Sequence, residues 1–142
     1  MSTINRAIEI AARAHEGQVD KAGAPYVFHP LRLMLAVARP EEQMAAVLHD
    51  VVEDTSVTLD DLRREGFPPE IVDAVDALTK RQGEGRIEAA RRAVANPIAR
   101  AVKLADVRDN MDLRRIAHPT EKDYARLREY EQVKAILEKG PS

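Results

Sequence analysis

The 142-residue sequence contains no cysteine and no tryptophan, and its aromatic side chains are three tyrosines and two phenylalanines. Without cysteine, disulfides, thiolate nucleophiles and thiolate-held zinc are excluded, so any metal must be held by nitrogen and oxygen ligands. Charge of one sign is also lacking. The 22 basic and 24 acidic side chains leave a formal charge of -2 at pH 7, which withholds the broad positive field that nucleic acid or an anionic membrane surface requires. No apolar run approaches the ~20 residues that span a bilayer. The opening stretch Ser2-Thr-Ile-Asn-Arg has no signal-peptide apolar core, so the expectation is a cytoplasmic protein with no membrane and no nucleic-acid partner. A small anionic substrate can still bind locally.

What is present reads as helix after helix. There is no convincing alternating strand and no Asn-Gly or Asp-Gly hairpin signal, so residues 1–142 are expected to form one all-α domain. Ile4, Ala7, Ile8, Ala11 and Ala14 make the apolar stripe of a first helix, followed by a polar loop over 17–25 and a short helix over about 31–38. Pro40, Glu41 and Glu42 open the next helix, because proline is tolerated in a first turn and acids suit the positive end of the dipole. Thr58 and Asp61 are spaced as a capping box for a helix that Gly66 ends. Pro68 and Pro69 then open a helix through Ile71, Val72, Val75 and Leu78. Residues 81–95 read as a charged turn entering a weakly amphipathic helix, an edge able to move over the site. Asn96-Pro97 starts a helix whose inward face runs Ile98, Ala101, Val102, Ala105, Asp106 and Asn110. Thr120 and Asp123 cap a last helix expected to pack through Tyr124, Leu127, Val133 and Leu137.

Chemistry concentrates in the run from Ala45 to Thr55, where His49, Asp50, Glu53 and Asp54 interrupt an otherwise apolar segment. Burying unpaired charge is costly, so something must offset it. On a continuous helix advancing about 100° per residue, the four groups fall within roughly 140° of one side. Asp106 arrives at the core on its own apolar stripe. A divalent metal gives one reason to bring His49, Asp50 and Asp106 inward, and His29 is the natural fourth ligand. Its setting in Tyr-Val-Phe-His-Pro predicts extended backbone, since proline restricts the residue before it. Two histidines and two carboxylates suit manganese, iron or zinc with positions left for water and substrate. His118-Pro119 lacks such neighbours and reads as a turn, and His15 as a capping or supporting histidine.

The ordered stretches Ala14-His-Glu-Gly-Gln18, Lys21-Ala-Gly-Ala-Pro-Tyr-Val-Phe-His-Pro30, Leu48-His-Asp-Val-Val-Glu-Asp-Thr55, Leu78-Thr-Lys80 and Val102-Lys-Leu-Ala-Asp106 with Asn110-Met111 resemble the HD superfamily of metal-dependent phosphohydrolases. Within it, they are similar to the hydrolase domain of the RelA/SpoT alarmone enzymes and their small stand-alone relatives. The resemblance implies one Mn²⁺ held by His29, His49, Asp50 and Asp106, with Glu53 and Asp54 holding or activating the attacking water. It also implies removal of pyrophosphate from the 3′ position of guanosine tetra- or pentaphosphate, hence a place in the stringent response, with Lys21 and Asn110 as nucleotide contacts. Asp20 stands where these enzymes commonly carry an arginine that stacks on guanine, and Asp112 and Leu113 replace a basic and a hydroxyl residue. Weaker (p)ppGpp hydrolysis is therefore expected, improved by Asp20→Arg. No synthetase stretch accompanies the domain, so activity is expected to be degradative only. Two other readings stay open: the same chemistry on another nucleotide or small phosphoester, and a non-catalytic nucleotide-binding regulatory module.

Overall fold

A computed structural model describes residues 2–141. Its helices are α1 (Ile4–Ala14), α2 (Phe28–Ala36), α3 (Pro40–Leu48), α4 (Val51–Asp54), α5 (Leu59–Arg64), α6 (Pro69–Leu78), α7 (Arg86–Ala93), α8 (Pro97–Asn110) and α9 (Glu121–Lys139), with a 3₁₀ turn at Leu113–Arg115. Among the described residues there is no strand beyond one isolated bridge between Val19 and Pro25, as the expected all-α class requires. No helix there is long and apolar enough to cross a membrane.

Two helices organise the molecule. The second half of α3, Ala45-Ala-Val-Leu48, is buried on every side, which is the pattern of a helix enclosed by others rather than laid on a surface. It packs against α1, α2, α6 and α8, and α8 in turn touches α2, α6, α7 and α9. One apolar cluster joins α1, α3, α5 and α6 through Ala7, Ala11, Leu48, Leu62 and Ile71. Another joins α7, α8 and α9 through Ala90, Val107, Val133 and Leu137. The chemistry-bearing residues lie where α2, α3 and α8 meet between them.

Local signals place most boundaries. Thr58 accepts from the Asp61 amide while Asp61 accepts from the Thr58 amide, the Asn96 side chain accepts from the Ala99 amide, and Thr120 and Asp123 close the same reciprocal box on α9. Gly66 ends the α5 turn at φ +89°, a backbone region open to glycine at no steric cost. Residues 81–85 and α7 fall inside the charged stretch 81–95 read as a turn entering a helix, and His118 is exposed between the 3₁₀ turn and α9.

Three expectations are corrected. The helix anticipated over 31–38 begins at Phe28, so His29 and Pro30 sit in its first turn, and His29 is helical rather than extended. There the missing proline N–H is one of the amides a helix start leaves unbonded anyway, and this tolerance outweighs the bias proline places on its predecessor. The helix through 45–54 is not continuous. It breaks at His49 and Asp50 because the Ala46 carbonyl accepts both the His49 amide, at 3.4 Å, and the His49 ring Nδ1, at 2.7 Å. Finally, Tyr124 is exposed, while Val133 and Leu137 further along α9 are buried. Only the second half of that helix lies against the α7–α8 cluster.

Candidate metal centre and its cleft

The break at His49 separates the four groups that a continuous helix would have stacked. His49, at the end of α3, meets His29 from α2 and Asp106 from α8, and one ligand atom from each lies within 4.8 Å of the others. All three are buried. Asp50, Glu53 and Asp54 form a second set of carboxylates on the same length scale, nearer the surface. Asp50 links the two sets, since its Oδ2 lies 2.9 Å from His49 Nε2.

The His49 ring decides what this arrangement can hold. A carbonyl can only accept, so the contact with Ala46 O fixes the proton on Nδ1 and leaves Nε2 as a lone pair. That nitrogen is buried and has no hydrogen-bond partner among the described residues, yet it faces Asp50 Oδ2 at 2.9 Å and Asp106 Oδ1 at 3.7 Å. A lone pair held against carboxylate oxygens is repulsive until a cation stands between them. The cation is either a proton or a metal ion. Burial opposes protonation, but the two carboxylates outweigh it and hold the His49 pKa well above the ordinary histidine range. His29 behaves alike: burial works against charge, Asp106 and Asp109 overcome it, and its pKa is raised. Histidine nitrogens and carboxylate oxygens converging without thiolates fit a divalent metal.

Neighbouring groups fix these side chains in place. His29 Nδ1 lies 2.6 Å from Asp109 Oδ2 and its Nε2 lies 2.9 Å from Asp106 Oδ1. Asp109 is itself gripped by the Arg32 guanidinium, with Nε at 2.8 Å from one oxygen and Nη2 at 2.9 Å from the other. Asp106 receives Lys103 Nζ at 2.9 Å and Asn110 Nδ2 at 3.1 Å. Burial alone would raise the Asp106 pKa, but Lys103 and the two histidines hold it well below the usual carboxylate range. The Tyr26 hydroxyl donates to Asp50. Burial and the carboxylate beside it push the Tyr26 pKa far up.

A cleft of about 400 Å³ opens over these groups, lined by His29, Asp50, Glu53, Asp54, Asp106 and Asn110, with Lys21, Arg115, Arg126 and Tyr130 among its other walls. Glu53 accepts the Lys80 amide at 2.7 Å. Asp54 has its pKa raised by burial and by the charges of Asp50 and Glu53. Lys21 is exposed.

Asp109, Lys103, Arg32 and Tyr26 escaped the sequence reading. A signal existed for the first three, because each lies three residues from an expected ligand on the same helix, a spacing that puts side chains on one face. Asp20 has a second role that the sequence did not suggest. Its Oδ1 accepts the Ala22 and Ala24 amides at 2.9 and 3.0 Å, which staples the loop 17–25, so Asp20→Arg removes two loop contacts as well as adding a guanidinium. His15 ends α1, buried, with Nδ1 2.9 Å from Gln18 Oε1 and its ring 5.0 Å from that of Tyr26. It is the C-cap of α1, one of the two places expected of it.

Known proteins resemble this chain over much of its length. The chain is 40% identical over 121 residues to a GTP pyrophosphokinase of Streptomyces coelicolor, covering 76% of this chain and 14% of that protein. It is 43% identical over 86 residues to a guanosine-3′,5′-bis(diphosphate) 3′-pyrophosphohydrolase of Haemophilus influenzae, covering 56% of this chain and 13% of that one. The chain thus spans about one-seventh of the length of these curated relatives. Among solved structures, a metazoan SpoT ortholog described as hydrolysing ppGpp superposes with a TM-score of 0.78 at 24% identity, over all of this chain and 89% of that one, a likeness of fold. The family model for the HD domain matches residues 7–133, nearly the whole chain, and the protein therefore belongs to the HD domain family.

Proposed function

We propose that the protein is a metal-dependent phosphohydrolase that removes pyrophosphate from the 3′ position of (p)ppGpp or a closely similar nucleotide, acting in the cytoplasm in the stringent response. The observation that carries the reading is the His49 Nε2 lone pair, buried without a hydrogen-bond partner and aimed at two carboxylates. Similarity to named 3′-pyrophosphohydrolases supports the substrate. His29, His49, Asp50 and Asp106 hold the metal in this reading, and Mn²⁺ suits their nitrogen and oxygen donors. When bound, such an ion acidifies a water and offsets charge on phosphoryl oxygens.

The chain's own residues do the rest. The Ala46 carbonyl and Asp109 each fix a histidine proton on Nδ1, so that both rings present Nε2 inward. Glu53 and Asp54 stand at the cleft wall beside Asp50, where they orient a water and take its proton. Lys21 and Asn110 meet the substrate from the rim and from the α8 face. One observation favours a different phosphorylated nucleotide: the loop expected to greet a guanine base carries Asp20, a carboxylate held there by two backbone amides, which cannot stack on a base as a guanidinium does.

The test is a panel of phosphorylated nucleotides and phosphoesters incubated with Mn²⁺-loaded protein, with products identified by chromatography. Pyrophosphate and GDP or GTP from the alarmones are expected. Turnover of other members with the alarmones left intact would move the assignment to another substrate, and binding without turnover of any would leave a regulatory module.

Support of His29 can be tested without substrate. Asp109→Asn removes the carboxylate behind the ring and should weaken Mn²⁺ binding by about 10- to 100-fold, the usual scale for such partners. Isothermal titration on wild type and variant measures it. Equal affinities would show that Asp109 serves only to anchor Arg32.

A further inference from the structure

The Thr79–Lys80 peptide joins α6 to the charged loop that follows it, and its two polar ends face different partners. Its N–H donates to Glu53 Oε1 at 2.7 Å. Its carbonyl, belonging to Thr79, accepts Arg92 Nη2 at 3.0 Å and Arg81 Nη1 at 2.9 Å. The peptide is trans and planar, so C=O and N–H point in opposite directions and cannot turn independently. Whatever fixes the oxygen fixes the direction of the N–H, and two guanidinium groups on the oxygen polarise the amide toward its acceptor.

Arg92, on α7, is built into this place. Its Nη1 donates to Ala77 O at 3.0 Å, closing the end of α6, and its Nε and Nη2 hold both oxygens of Glu84 at 2.9 and 3.0 Å. Glu84 in turn accepts the Arg81 amide at 2.9 Å, immediately past Lys80. The Arg92 side chain thus secures the backbone on both sides of the amide that holds Glu53. Hydrogen bonding to Arg92 and to the Arg81 amide holds the Glu84 pKa down at about 2, keeping it charged across the working range.

We infer that Arg92 is a positioning residue for Glu53, acting through the single peptide plane of Thr79 and Lys80. Residues outside the cleft thereby set the aim of a carboxylate inside it. The inference rests on the acid-base role proposed for Glu53, and the experiment separates the two.

Arg92→Met, Arg92→Lys, Glu53→Gln and the double variant Arg92→Met/Glu53→Gln are compared for kcat, KM, Mn²⁺ content and the Lys80 amide proton shift in ¹⁵N-resolved spectra. Arg92→Met alone is expected to lower kcat about tenfold, a middle value for coupled neighbours, with KM and Mn²⁺ content unchanged and the Lys80 amide proton moved upfield. In the Glu53→Gln background the same substitution should change kcat less than twofold. Arg92→Lys restores one donor to the peptide oxygen and recovers part of the loss. An equal tenfold loss in both backgrounds, or a Lys80 resonance unmoved by Arg92→Met, overturns the inference. Should Glu53→Gln keep full turnover, the acid-base role fails, and the Lys80 shift still reports whether Arg92 governs that amide. If Arg92→Met does not fold, Glu84→Gln perturbs the same clamp more gently and is read by the same amide shift.

Discussion

His49→Ala and Asp106→Ala are each expected to lower turnover by at least about 10³-fold, more than the 10- to 100-fold typical of losing a partner behind a ligand. Each removes a donor from the place where His29, His49 and Asp106 converge within 4.8 Å. The two should differ in stability. His49→Ala removes the lone pair that opposes Asp50 and Asp106, whereas Asp106→Ala leaves Lys103 and His29 without the carboxylate both face. Breaking a buried pair by deleting one member costs about 3–5 kcal/mol, so Asp106→Asn, which keeps the shape, is the better comparison. Mn²⁺ content, turnover and melting temperature measured together decide the matter. Wild-type turnover with bound metal in both variants would remove them from the site.

The same centre predicts a pH dependence whose sign follows from the histidines. Both have raised pKa values, so below that range each ring holds a proton where a metal would sit. Metal binding must expel those protons, and Mn²⁺ affinity is expected to rise with pH through and above the ordinary histidine range and to fail on the acid side. Treatment with a chelator near neutral pH should lower the melting temperature. A native-state ligand at 100 times its Kd adds about 2.7 kcal/mol.

The second large effect concerns the carboxylates at the cleft wall. Asp54→Asn is expected to lower kcat by about 10²- to 10⁴-fold, the range for a positioned acid-base group, and Glu53→Gln by about 10²-fold, both with Mn²⁺ content unchanged. The order follows from their surroundings. Glu53 has one oxygen committed to the Lys80 amide. Burial and the charges of Asp50 and Glu53 raise the Asp54 pKa toward the range where a base can both take and return a proton. Metal loss in either variant would make that residue a ligand. Unchanged kcat would remove it from the mechanism.

Much of this was written locally in the chain. The all-α class, the caps at Thr58, Asn96 and Thr120, and the inward course of Asp106 along α8 depend on interactions within one or two turns, where sequence spacing and spatial spacing are the same thing. The convergence of His29, His49 and Asp106 was legible for a different reason: ionisable groups on apolar faces need a common partner, and the chain has few of them. The sequence could not show that a histidine would take its own helix's carbonyl, break the helix at Asp50 and divide four groups between a buried histidine and a wall of three carboxylates. That depends on the ring of His49 finding Ala46 O. Nor could it show that Asp109 from α8 would stand behind His29 and meet Arg32 on α2, or that Arg92 would reach Glu53 through a peptide, because in each case the partners come from separate helices. Spacing along one helix fixes which face a residue occupies. Only the packing of α2, α3, α7 and α8 decides what that face meets.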